Sequence, residues 1–191
     1  MTEYLNSTIE KYIEDLSKKK ITPGGGSASA LSAALGAALN LMVINYSLRP
    51  GADEKVPEAL SEALVKQEES LGSLKRLIDE DCRVFEVLMK ALSDGKEAQE
   101  EFIKASAAPM EVCRECRDGI EIISSVFEHL NKNLISDVKC AAQIFIGAFY
   151  SAKFNVEINL QKIKDVSFVE KTQNELKEIA SLLTDFNEKL K

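Results

Sequence analysis

Three consecutive acids, Asp79-Glu80-Asp81, are the residues of this chain best suited to moving a proton. A carboxylate works as a general acid or base when burial lifts its pKa toward neutrality. The stretch around them repeats in alternating steps of four and three: Leu60, Leu64, Gln67, Leu71, Leu74, Ile78, Asp81, Phe85, Leu88, Leu92. That is the core seam of a bundle helix. Asp81 falls on the seam, whereas Asp79 and Glu80 fall off it. Asp81 is therefore expected to be the desolvated acid and its neighbours to face solvent. A carboxylate so placed is either functional or satisfied by a neighbouring helix, and the pattern leaves both open.

A second chemically suggestive stretch is Thr22-Pro23-Gly24-Gly25-Gly26-Ser27, which leads into an Ala-rich segment up to Ile44. It reads as a glycine turn opening a helix, with Ser27 as the expected cap. The segment after it is apolar or small on every side, which predicts a helix buried all round. Glycines at a helix N-terminus expose unpaired N–H groups and the positive dipole end, a place for an anion. The alternative is a tight turn that only seats a buried helix. No strand precedes the turn and no Lys-Ser/Thr follows it, which excludes a dinucleotide fingerprint and a Walker loop.

A third group is Asn155 and Asn159, one helical turn apart at the end of a face formed by Val138, Ala141, Phe145, Ala148 and Ala152. Two amides closing an apolar face suggest a polar pocket or an interhelical hydrogen-bond network. Cys113 and Cys116 have the spacing of a metal or redox pair. They fall on an apolar seam with Phe102, Ser106, Pro109, Ile120, Ile123, Phe127 and Leu130, so core packing is expected. Asp137 reads as a first-turn acid and His129 as a solvated helix end.

The elements that must position these groups are helical. No segment sustains strand alternation, so the class is all-α: a bundle of about six helices in one domain, residues 1–191. Helix one is expected over Ser7–Lys19, with Ser7 and Glu10 as a capping box and Leu5, Ile9, Tyr12, Ile13 and Leu16 as its buried stripe. Helix two spans Ser27–Leu48 and is followed by a loop at Arg49–Asp53. Helix three spans Pro57–Ser93. Helix four spans Glu97–His129, with a kink or break at Pro109. Helix five runs to Leu160. Helix six starts at a Ser167/Glu170 capping box and carries Val169, Thr172, Leu176, Ile179, Leu183, Phe186 and Leu190.

A net charge of −7 makes nucleic acid an unsuitable partner. Four cysteines scattered through helices fit cytosolic usage rather than a disulfide framework. With a polar N-terminus and no signal peptide, a cytoplasmic location is expected. The segment after residue 27 is near the lower length limit for a membrane span, so no membrane association is expected.

Taken together, several blocks resemble the cyclodeaminase/cyclohydrolase family of folate enzymes. They are Thr22-Pro23-Gly24-Gly25-Gly26-Ser27 with its Ala/Gly-rich helix, Asp79-Glu80-Asp81-Cys82-Arg83-Val84-Phe85, Ala108-Pro109-Met110, Ser136-Asp137 and Asn155-Val156-Glu157-Ile158-Asn159-Leu160. The resemblance covers about residues 4 to 186. It departs at Ala91-Leu92-Ser93-Asp94-Gly95, where the family usually has Arg-Leu-Pro-Lys, and at His129-Leu130-Asn131, where it has Cys/Gly-Asn. It implies an elongated helical homodimer that binds a tetrahydrofolate derivative and needs no metal or organic cofactor. It implies a catalytic acid in the block of Asp79 and Asp81. It also implies substrate contacts from Gly24, Gly25, Gly26, Ser27, Asp137, Asn155 and Asn159. The leading expectation is formiminotetrahydrofolate cyclodeaminase. Methenyltetrahydrofolate cyclohydrolase is the close alternative, and a non-catalytic helical dimer module is the third.

Overall fold

The computed structural model describes residues 3–48 and 57–190. Six α-helices follow one another: α1 Ile9–Leu16, α2 Gly25–Ser47, α3 Glu58–Ser93, α4 Gln99–Val126, α5 Ile135–Leu160 and α6 Val166–Lys189. Short 3-10 turns at Tyr4–Asn6, Phe127–His129 and Lys132–Leu134 complete the described regular structure. The all-α expectation holds. The Arg49–Asp53 loop lies outside the described residues.

The core is the packing of α2 against α3, α4 and α5, with α3 on α4 and α4 on α5. Helix α6 closes the outer side of α4 and α5 through Thr172, Leu176, Ile179, Leu183 and Phe186. By length and composition α2 could cross a membrane, but here it serves as the core helix of the bundle. It is not buried all round. Leu35 and Tyr46 are 58% and 54% exposed, because three neighbouring helices leave one face uncovered.

The α3 seam is real but wider than a strict two-position stripe. Leu60, Gln67, Leu74, Ile78 and Leu88 are buried, and so are Ala63, Ser70, Leu77, Cys82 and Ala91. Phe85 and Leu92 fall on its rim. Gln67 accepts a hydrogen bond from the Asn40 amide across the α2–α3 contact. Gly95, in the left-handed region at φ 73°, ends the α3 segment. Helix α4 continues through Pro109 without a break and gives way to a 3-10 turn before His129. Cys113 and Cys116 are core residues, and burial pushes both thiols well above their ordinary pKa.

Local caps differ from the expected ones. Thr8 caps α1, accepting from the Lys11 N–H, and the Ser7 hydroxyl donates to the Glu3 carbonyl instead. Asp165, not Ser167, caps α6 by accepting from the Phe168 N–H. The α1 stripe is largely outside: Ile9 is 75% exposed and Ile13 59%. Tyr12 and Asp15 are the side chains that α1 buries. Asp15 is tolerated there because Lys11 and Lys20 pair with it and the Tyr4 hydroxyl donates to it, which holds its carboxyl far below the usual range.

Candidate active site

The glycine turn, α3 and α5 meet at one point. Helix α2 begins one turn earlier than the Ser27 cap would require, with Gly24 as the N-cap residue and no side chain of its own to cap with. The Asp81 carboxylate, from α3, takes the cap's place. Its Oδ1 lies 2.0 Å from where a Cβ on Gly26 would sit. The Ser27 backbone N–H faces it and stabilises its charge. The anion at this helix N-terminus is thus the protein's own.

Burial of Asp81 outweighs that N–H, and the pKa is pushed up to about 6. At neutral pH the group sits within reach of both protonation states, as a proton carrier requires. Asp81 is partly buried, at the edge of the α3 seam rather than at its centre.

Asn155 stands on the other side of the turn. Its Oδ1 lies 3.1 Å from the Cβ position of Gly25, so both glycines are places where another helix's polar group comes close. The Asn155 Nδ2 donates to the Ser151 carbonyl at 2.9 Å. Asn159 has a more specific task. Pro109 has no N–H for the carbonyl of Ala105, four residues before it. The Asn159 Nδ2 donates to that carbonyl at 3.0 Å and to the Asn155 carbonyl at 3.0 Å. The Asn159 nitrogen thereby spends both of its N–H groups on backbone and the Asn155 nitrogen one of its two, while both Oδ1 atoms remain for a ligand.

These groups line a cavity of about 90 Å³ together with Thr22, Phe85, Ala105 and Ile158. A shallower groove of about 350 Å³ adjoins it across Gly25 and Asn155, walled by Ala28, Ser32, Ser151 and Phe154. The cavity therefore offers hydrogen-bond acceptors, namely the Asp81 carboxylate and two amide oxygens, beside an apolar wall. Such a set suits a cationic or N–H-rich group.

The other expected site residues are placed elsewhere. Ser27 is fully buried and faces away from the cavity, its Oγ 3.1 Å from the Tyr12 hydroxyl. Asp79 does not face open solvent as expected. It accepts from the backbone N–H groups of Tyr4 at 2.6 Å and Leu5 at 3.2 Å, and so ties down the chain's first turn. Asp137 lies in the first turn of α5, about 27 Å along that helix from Asn155 at 1.5 Å per residue. Thr22, the first residue of the glycine-turn block, and Tyr12, in the α1 stripe, are not among the expected site residues. Thr22 donates its hydroxyl to Glu86 at 2.7 Å, and no periodic signal marks a turn residue of that kind.

Comparison with known proteins places the chain among relatives. The formiminotransferase-cyclodeaminase family profile matches residues 8–178. A methenyltetrahydrofolate cyclohydrolase from Methylorubrum extorquens is 32% identical, over 97% of this chain and 94% of that protein. The formimidoyltransferase-cyclodeaminase of Mus musculus is 28% identical over 95% of this chain, which spans only 35% of the mouse protein. The crystal structure of formiminotetrahydrofolate cyclodeaminase from Thermotoga maritima superposes with a TM-score of 0.90 at 30% identity, covering 97% of this chain and 94% of that one. A profile match over most of the chain, a relative above 30% identity and a matching fold lead to one assignment: the chain belongs to the formiminotransferase-cyclodeaminase family.

Proposed function

We propose that this protein is a folate one-carbon enzyme that hydrolyses 5,10-methenyl-tetrahydrofolate, with Asp81 carrying the proton. The observation that carries the reading is the Asp81 carboxylate, partly buried, poised near neutrality and open to a small cavity at the glycine turn. Water adds to the methenyl carbon, and Asp81 takes its proton. The carbon–N5 bond then breaks, N5 receives a proton, and 10-formyl-tetrahydrofolate leaves with one net proton released. The charge on Asp81 and the two amide oxygens favour the cationic amidinium. The cavity suits the one-carbon centre, and the adjoining groove, with Phe154 69% exposed, suits the flat remainder of a folate. The 32% identity to the Methylorubrum protein, a methenyltetrahydrofolate cyclohydrolase, favours hydrolysis.

Cyclodeamination is the second reading, favoured by the Thermotoga structure. There N10 closes on the formimino carbon, the bond to the terminal nitrogen breaks, and Asp81 passes the N10 proton to the departing ammonia. The absorbance of the methenyl chromophore separates the readings. Hydrolysis makes it fall faster than the buffer blank. Cyclodeamination makes it rise from formimino substrate, with ammonia released. No change above the blank with either substrate rejects both and leaves a non-catalytic module.

The same reading includes a homodimer. Leu35 and Tyr46 are exposed on α2, which packs antiparallel to α5 with Gly25 beside Asn155 and Gly36 beside Ile144. A second copy is proposed to cover this face. Light scattering at micromolar concentration should give twice the chain mass, and a stable monomer would refute the dimer.

A further inference from the structure

The three residues Asp79, Tyr12 and Asp81 belong to one closed circuit that begins and ends on α3. Asp79 holds the backbone N–H groups of Tyr4 and Leu5. The Tyr4 ring meets the Tyr12 ring edge to face, with centroids 5.3 Å apart. The Tyr4 hydroxyl is itself fixed, donating to Asp15 at 3.2 Å and to the Thr22 carbonyl at 3.4 Å. The Tyr12 hydroxyl lies 3.1 Å from the Ser27 Oγ. Ser27 follows Gly26, against which the Asp81 carboxylate packs, so its backbone N–H faces that carboxylate, two residues along α3 from Asp79. Tyr4, Tyr12, Asp15 and Ser27 are all buried, so the circuit is solid packing rather than a surface chain.

We infer that Tyr12 is a positioning residue for Asp81: by holding Ser27 it keeps the first turn of α2 against the carboxylate and so sets the proton affinity of that group, with Asp79 anchoring the other end. Its consequence for turnover rests on Asp81 being the proton carrier; its consequence for the Asp81 titration does not. The geometry isolates the effect. The ionisable groups facing this point are Tyr12 from α1, Cys82 and Asp79 from α3, and Glu86 through Thr22. Burial raises Tyr12, and raises Cys82 to about 11, so both are neutral where Asp81 titrates. Asn155 and Asn159 of α5 and Ala105 of α4 carry no charge. The ordered N–H is therefore the one feature of this set that stabilises the ionised acid.

The test follows the Asp81 carboxyl carbon by NMR in protein labelled with 13C-aspartate. The midpoint should lie near 6 in the parent. Tyr12→Phe keeps the ring against Tyr4 and removes only the hydroxyl. It should raise the midpoint by about half a pH unit or more, the scale of one lost or loosened hydrogen bond to a charged group. Ile13→Ala, on the exposed side of α1, should leave it in place. Should Tyr12→Phe fail to fold, Ser27→Ala breaks the same bond from its other end and keeps the backbone N–H. With an active enzyme, the acid limb of kcat/KM should follow the titration, with KM changed less than about twofold. A shifted midpoint without turnover sinks the enzymatic reading alone. An unshifted midpoint in a folded Tyr12 or Ser27 variant overturns the positioning role.

Discussion

Asp81→Asn lowers kcat by about 100-fold or more, the usual scale for loss of a general acid or base. The substitution keeps the shape of the side chain and an oxygen that accepts from the Ser27 N–H, since asparagine is as good a helix cap as aspartate. What it removes is the exchangeable proton. In the parent enzyme kcat/KM should rise with pH through about 6 and reach a plateau above it, because the carboxylate is the form that takes the first proton. In the variant the residual rate should lose that limb. Stability should change in the opposite sense to activity. The folded pKa of Asp81 is raised from 3.8 to about 6, so between those values the folded protein binds more protons than the unfolded chain. Its contribution therefore worsens as pH rises through that window, by about 3 kcal/mol in all at 1.36 kcal/mol per pH unit. Asp81→Asn should match the parent near pH 4 and melt about 5 °C or more above it at pH 8. A variant that turns over normally, or that melts lower at pH 8, would remove Asp81 from the reaction or show its charge to be a structural necessity. Asp79→Asn should lower the rate far less, since that carboxylate holds backbone N–H groups outside the cavity.

Gly26→Ala abolishes measurable turnover, for a reason confined to a few atoms. The added methyl would lie 2.0 Å from the Asp81 Oδ1, 2.5 Å from its Cγ and 2.7 Å from its Oδ2. No real carbon sits that close, so either the carboxylate leaves the helix N-terminus or α2 shifts off α3. Each outcome destroys the arrangement that sets the pKa of Asp81. Alanine is the better helix former by about 1 kcal/mol, yet overpacking costs about 1–3 kcal/mol, so the net change should be a loss. The double variant Gly26→Ala/Asp81→Ala separates the causes. With the carboxylate gone the methyl has room, and thermal melting should recover to at least the Asp81→Ala value while activity stays absent. If Gly26→Ala retains parental activity, the Asp81 carboxylate does not work from this position.

Much of this was readable in one dimension, for a definite reason. Helical periodicity depends on side-chain types at spacings of three and four, and those are visible in a string. It yielded α3, expected from Pro57 and found from Glu58 to Ser93, the buried seam of α4, the apolar face of α5 that ends in Asn155 and Asn159, and Asp81 as the acid to watch. Family blocks in order and spacing yielded the rest of the assignment. The local rules that failed were those decided by competition for hydrogen bonds. Ser7 lost the α1 cap to Thr8 because its backbone closes the preceding 3-10 turn, donating to the Tyr4 carbonyl. Ser27 lost the α2 cap because the helix already starts at Gly25, with the Asp81 carboxylate of another helix packed against its first turn.

The meeting of distant groups was decided by packing alone. Gly26 is a glycine for the sake of Asp81, 55 positions away, and Asn159 answers the carbonyl that Pro109 leaves unpaired. Asp79 and Asp81 look alike in a string, and both lie against backbone N–H groups. One pins the first turn of the chain and the other opens on the cavity, because successive side chains on a helix diverge by about 100° and only the helices packed around α3 decide what each direction meets.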